Sequence, residues 1–267
     1  MTTAISFSNV TAGYRDKRVI EGLSFDVREG EMTAVIGPNG SGKTTLLRSI
    51  TGLIKPSAGS IELFGHSNLS LSAENRARTV GVVPQEMETP MAFTVSEIVA
   101  MGRTSVLNRW CQPSGKDRQI IEKAMNYTDV YGMKGRPFCE LSGGEKKRVV
   151  IAMVLAQEPR IVLMDGATSN LDMNHRMEVM QIVERMNREE GVTVLMVSHD
   201  LSLAADFCER LLLLDQGNLV SKGTPEEVLN KSDLEKVYNC NVCVQKDAET
   251  GAVTVIPRRA RAGLQFG

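Results

Sequence analysis

The chain has no apolar run approaching the ~20 residues that a helix needs to cross a bilayer, and its polar N-terminus lacks a signal-peptide core. Any membrane role therefore falls to a partner. Net charge is also missing. The 31 basic residues face 32 acidic ones, which leaves no field to draw nucleic acid or anionic lipid. Cysteine is scarce and odd in number, five in 267 residues, which suits reduced thiols in a cytosolic setting rather than a disulfide framework. Cys240 and Cys243 have CxxC spacing, but no second pair follows, and the alternation around Val242 and Val244 predicts a strand instead of a metal or redox site. His66 and His175 have no neighbours at ligand spacing, and no repeat or low-complexity run is present.

What the chain does have is Gly37-Pro38-Asn39-Gly40-Ser41-Gly42-Lys43-Thr44, a complete phosphate-binding loop of the form G-x-x-x-x-G-K-[ST], followed by Thr45. Before it, Glu31 to Ile36 contains the short β-branched run of a buried strand. After it, Lys43 to Ile50 favours helix. A strand that turns through glycines into a helix aims backbone N–H groups and the positive helix end at one anion. Lys43 supplies a point charge for the β- and γ-phosphates, and the Thr44 hydroxyl can ligate Mg²⁺.

Around the loop the pattern is α/β. Ile5 to Thr11 and Leu23 to Val27 alternate as an antiparallel edge sheet that carries Tyr14, and further strands are expected at Thr33, Val80, Ile161, Val192 and Leu211. Helices are expected from Lys43, Asp172 and Leu201. Between Pro90 and Glu140 the strand signals stop, while Val95–Gly102 and Lys116–Tyr127 have helical spacing. We therefore expect a main domain over 1–240 with a helical insert at about 90–145. Residues 241–267 are expected to form a hairpin around Glu249-Thr250-Gly251 and a basic tail with Arg258, Arg259 and Arg261.

Together with the loop, Leu141-Ser142-Gly143-Gly144-Glu145, the acidic strand Ile161–Asp165 and Ser169-Asn170-Leu171-Asp172 resemble the nucleotide-binding subunits of ABC transporters. The resemblance covers about residues 4 to 230. It implies a P-loop NTPase core with a parallel sheet, an N-terminal antiparallel β subdomain and a helical insert, working with ATP and Mg²⁺. It implies a head-to-tail ATP sandwich, as homodimer or heterodimer, in which Ser142, Gly143 and Gly144 touch the γ-phosphate held by the other subunit. The tetrapeptide alone reads equally as a helix cap. Asp165 would hold Mg²⁺ through its water shell, Gln85 would approach the metal and the attacking water, and His199 would donate to the γ-phosphate. Tyr14 would stack on adenine. Asp172 would touch the partner across the dimer seam or cap its own helix. The implied partners are a membrane permease and, indirectly, a periplasmic or surface solute-binding protein, with no nucleic acid. The implied place is the inner face of the cell membrane.

The chain departs from the family where Glu-Pro-Thr usually follows the acidic strand; here it reads Asp165-Gly166-Ala167-Thr168. The absent glutamate polarises the attacking water, a contribution of about 10²–10⁴ in rate. Three readings fit: a slow ATPase in which His199 and Gln85 position water, a subunit whose signature completes a competent site on a different partner, or a variant that traps ATP. Thr94 to Arg103 is similar to the importers of iron-siderophore, haem and cobalamin, although Ser105 and Val106 stand where those have proline and histidine. In that subfamily the insert faces the permease, which makes 86–110, with Met87, Met91, Phe93 and Val95, the expected docking surface. The competing classes are a non-transport ABC switch, which usually carries coiled-coil inserts or paired cassettes absent here, and a binding-only regulatory subunit, which Gly166 favours.

Overall fold

A computed structural model describes residues 2–15, 17–87, 89, 93–105, 114–249 and 251–259. In chain order it begins with β1 (Thr3–Tyr14), β2 (Lys17–Arg28), β3 (Met32–Ile36), α1 (Lys43–Ile50), β4 (Ala58–Leu63), β5 (His66–Ser67), α2 (Ala73–Thr79) and β6 (Val80–Val83). The middle of the chain supplies α3 (Val95–Met101), α4 (Gly115–Tyr127), α5 (Gly143–Ala156), β7 (Ile161–Asp165), α6 (Met173–Glu190), β8 (Thr193–Val197) and α7 (Leu201–Phe207). The last elements are β9 (Arg210–Asp215), β10 (Asn218–Gly223), α8 (Pro225–Val228), α9 (Lys231–Tyr238), β11 (Val242–Lys246) and β12 (Val253–Pro257).

The central sheet has the order β10-β9-β3-β8-β7-β6. Its β9, β3, β8, β7 and β6 run parallel, and β10 closes one edge antiparallel. Buried on both faces, its inner strands are apolar at nearly every position, as a covered parallel sheet requires. Alternate residues feed two cores. Met32, Ala34, Ile36, Val194 and Met196 join the core under the helical side, while Val35, Leu195 and Val197 join the one shared with α1 and the β1–β2–β4 sheet. In that second core Phe7 and Phe25 stack with ring centres 4.5 Å apart. The C-terminal hairpin β11–β12 packs on α7, burying Val242 and Val253, and the Val255 amide donates to Ser202 Oγ at 3.2 Å. Thr250 and Arg261 lie outside the described residues.

The helical insert is fixed by close packing and a buried ion pair. A Cβ on Gly102 would stand 2.0 Å from the Met153 carbonyl oxygen, so only glycine lets the end of α3 lie on α5. Arg103 is 3% exposed. Its Nε bonds Asp117 at 3.0 Å, and its Nη1 bonds the Ala156 carbonyl and Glu158, both at 2.8 Å. Gly102 and Arg103 thus hold the insert together instead of greeting a partner. Val95, expected on the docking surface, is fully buried in the core, and Met87 and Phe93 pack half-buried against it. For Val95 this corrects the docking expectation, since it lies on the buried face of α3 with Ile98 and Val99. Met91 and Val106 lie outside the described residues.

Candidate functional site

Four strands of the parallel sheet end on the same edge, and in such sheets ligands bind beyond the carboxyl ends of the strands. From β3 comes the glycine loop, from β6 Gln85, from β7 Asp165 and Gly166, and from β8 His199. Together with Val19, Lys43, Thr44 and Thr45 they line one cavity of about 300 Å³. A second cavity, about 350 Å³, lies at the opposite strand ends beside Glu29, Arg160 and Val192 and contains none of these groups.

The loop is built so that only glycine fits at its first position. Gly37 has φ +146°, and a Cβ there would fall 2.1 Å from the Leu214 carbonyl oxygen of β9. Helix α1 then begins without a side-chain cap, Gly42 being its N-cap, and its first turn contains no acid. Its first N–H groups are left as donors that an anion could use. Ser41 Oγ is buried in the loop, beside Gly37, with no hydrogen-bond partner among the described residues. Lys43, nearly buried, folds back so that Nζ donates to the Gly37 and Pro38 carbonyls, each at 2.8 Å. Burial pushes its pKa down, and the negative charge of Asp165 partly restores it. Thr44 Oγ1 donates to Asp165 Oδ1 at 3.3 Å, across the 121 residues that separate them in sequence. This hard-oxygen pair fits a Mg²⁺ ion, which takes few carboxylates and keeps several waters.

At the end of β7 the backbone of Gly166 is left-handed, with φ +57°. A Cβ would stand 3.1 Å from Ser169 Oγ and 3.4 Å from both Cγ and Cδ of Gln85. Gln85 therefore occupies the space a side chain at 166 would enter. His199 has its pKa lowered, first by burial and then by the positive charge of Lys43, against the pull of Asp165. Burial and Lys43 both disfavour the charged imidazolium; the neutral ring presents one N–H donor.

The remaining expected residues are not in this cavity. Tyr14, at the end of β1, is 44% exposed, and its hydroxyl accepts from Arg48 Nη1 at 2.8 Å. Ser142 caps α5: its Oγ accepts from the Glu145 amide at 3.3 Å, and Glu145 Oε2 accepts from the Ser142 amide at 2.8 Å. These bonds hold the Glu145 carboxyl below the usual carboxylate range. Ser142 and Gly143 are exposed at the helix start, while Gly144 is buried. Asp172 caps α6 by accepting from the His175 amide at 2.9 Å, and it also bonds His175 Nδ1 at 2.8 Å.

That last bond has a consequence for Gly144. A Cβ on Gly144 would lie 2.3 Å from His175 Cδ2, and the imidazole cannot swing away without leaving Asp172. Gly144→Ala is expected to cost about 1–3 kcal/mol through overpacking, read as a lower midpoint of thermal unfolding. Adding His175→Ala should recover most of that loss. An unchanged midpoint in the single variant would show that the ring moves freely.

A buried strand, a glycine loop on a free helix N-terminus and an acid at the same end of a strand two places along the sheet define a P-loop nucleotide-binding domain. The profile of the ABC transporter family matches residues 20–169, and the chain belongs to that family. It is 34% identical to the iron(3+)-hydroxamate import ATP-binding protein FhuC of Bacillus subtilis (strain 168), over 92% of each chain. Among solved structures it is similar to a chain of an inward-facing ABC transporter described as of metal-chelate type, with TM-score 0.85 and 27% identity over 96% of this chain and 98% of that one. It is also similar to the ATP-binding cassette MJ0796, solved as a dimer in a post-hydrolysis state with ADP and Pi, with TM-score 0.73 and 28% identity over 83% of this chain and 98% of that one.

Proposed function

We propose that this chain is the ATP-binding and hydrolysing subunit of an importer of metal chelates, iron-siderophore, haem or cobalamin in type. It would drive a separate membrane permease from the cytoplasmic face. The observation that carries the reading is the convergence of the Gly37–Thr44 loop, Asp165, Gln85 and His199 on one cavity. The similarity to FhuC and to the metal-chelate transporter supports the substrate class and the direction. No helix among the described residues is long and apolar enough to cross a membrane, and in this reading the pore is the permease's.

In this reading the loop amides and Lys43 cradle the phosphates, Lys43 exchanging its carbonyl partners for phosphate oxygens. Thr44, Asp165 and Gln85 hold Mg²⁺, which supplies positive charge to the transferring phosphoryl group. His199 donates to the γ-phosphate and Gln85 orients the attacking water. Little of phosphoryl transfer is covalent work for a protein, so positioning alone gives turnover. Tyr14 stacks on adenine. The exposed Ser142 and Gly143 of a second subunit, with Asp172 at the seam, close the site from the other side. The permease seats in a groove of about 740 Å³ lined by Leu47, Leu53, Ala77 and Val82, which opens onto Gln85 and Asp165. Leu53 there is 78% exposed.

Gly166 favours a second reading, in which the chain is the weakly hydrolysing half of a heterodimer and its Ser142–Gly144 turn serves the partner's ATP. Light scattering with ATP in the presence of EDTA tests the sandwich. The first reading expects the mass to double on adding nucleotide, whereas the second expects it to double only with a different ABC subunit present. A chain that stays monomeric under both conditions overturns both.

A further inference from the structure

The reacting end of the site contains a buried lysine to which the scheme above gives no role. Lys147 lies on α5, one turn past Ser142–Gly144, and is 7% exposed. Its Nζ donates to the Pro84 carbonyl at 2.9 Å and to the Gln85 carbonyl at 2.8 Å. Strand β6 ends at Val83, so these two carbonyls have left the sheet and need other donors. A buried ammonium is costly unless it is hydrogen-bonded or paired, and here it spends two of its three protons on the backbone of one short segment. Burial lowers its pKa, opposed by the nearby charge of Glu86.

The segment it holds carries Gln85, whose side chain fills the space over Gly166 and has no hydrogen-bond partner among the described residues. On its other side lies a cavity of about 250 Å³ lined by Glu86, Lys146 and Asn170, so packing alone does not fix it. We infer that Lys147 is a positioning residue that clamps the Gln85 backbone, setting the carboxamide at the place where this chain has no carboxylate. The inference rests on the reading of Gln85 as part of an ATP-hydrolysing site. It also gives α5 a mechanical role, since one rigid helix joins the exposed Ser142–Gly143 end to the backbone of Gln85. A shift of that end on meeting another subunit's nucleotide would be felt at the water-orienting amide.

The test compares Lys147→Met, which keeps the stem and removes the donors, with Lys147→Arg, which restores two N–H donors and has the adjoining cavity to grow into. In Lys147→Met, kcat for ATP is expected to fall roughly 10- to 100-fold, the size of a small misplacement, while KM stays within about twofold. Lys147→Arg should recover most of that kcat. In a Gln85→Ala background, Lys147→Met should add less than about twofold, because a residue acting only through Gln85 has nothing left to position. Independently of turnover, amide hydrogen exchange at 85–87 should speed up about tenfold or more in Lys147→Met, with exchange in 37–45 unchanged. Unchanged kcat with unchanged exchange, losses that add in the double variant, or equal loss of nucleotide affinity in Met and Arg would each overturn the clamp. If the parent chain hydrolyses nothing, the proposed activity fails, and the exchange measurement still decides whether Lys147 holds the segment.

Discussion

Gly166→Glu is expected to raise the rate of phosphate release from bound ATP at least tenfold, because a general base contributes about 10²–10⁴ in rate. The substitution runs against the backbone. Position 166 has φ +57°, and a non-glycine residue in that region costs roughly 1–2 kcal/mol. The new Cβ also meets Ser169 Oγ at 3.1 Å and the Gln85 chain at 3.4 Å. That strain is present with and without the transition state, so it lowers stability without raising the barrier. A gain worth about 3–5 kcal/mol of barrier should outweigh whatever Gln85 loses by moving aside. Gly166→Ala is the control, since it adds the strain without the carboxylate. Both variants should unfold at lower temperature, and only the glutamate should speed a single turnover. Equal rates for glycine, alanine and glutamate would remove the idea that a missing base limits this enzyme, and would leave Gln85 and His199 as its sufficient machinery.

The glycine loop was fully legible in the chain because its chemistry is local: eight consecutive residues specify both the turn and the charge. Strand β3 and the starts of α1, α6 and α7 were legible for the same reason: β3 is a short apolar run, α1 follows directly from the loop, and α6 and α7 begin at the capping residues Asp172 and Asp200. What failed to show were contacts set by distant packing. The bond from Thr44 to Asp165 could be expected from the family resemblance, but nothing near Gly144 announces that His175, held by its own cap, fills the space beside it. Lys147 reads as one more solvated helix cation until α5 is laid against the end of β6. The docking expectation for Val95 failed because a buried helix face and a docking face share one apolar period; only tertiary structure shows that Val95 and Arg103 point inward. Strands β4 and β10 escaped notice because their largely exposed, polar residues lack the apolar alternation that marks a half-buried strand.

Lys43→Ala should nearly abolish the thermal stabilisation that ATP confers while changing the unliganded chain little. In the free protein the ammonium is desolvated and holds two carbonyls. Its removal trades the loss of those bonds against relief from burying a charge, two effects of opposite sign. With nucleotide bound the balance is one-sided: phosphate oxygens lose a charge-assisted donor in a partly buried site, which costs about 2–5 kcal/mol. A ligand at a hundred times its Kd stabilises a protein by about 2.7 kcal/mol, and a hundredfold weaker one at the same concentration by only about 0.4 kcal/mol. At roughly 2–4 °C per kcal/mol for a chain of this size, the ATP-induced shift should shrink from about 5–10 °C to about 1–2 °C. Lys43→Arg keeps the charge but must fit a wider fork into a cavity of about 300 Å³ that, in the proposed reading, also has to receive the phosphates, so it should recover only part of the shift. If Lys43→Ala kept the parent's full shift, the phosphates would not lie in this loop, and the placement of Thr44, Asp165 and Gln85 around them would fall with it.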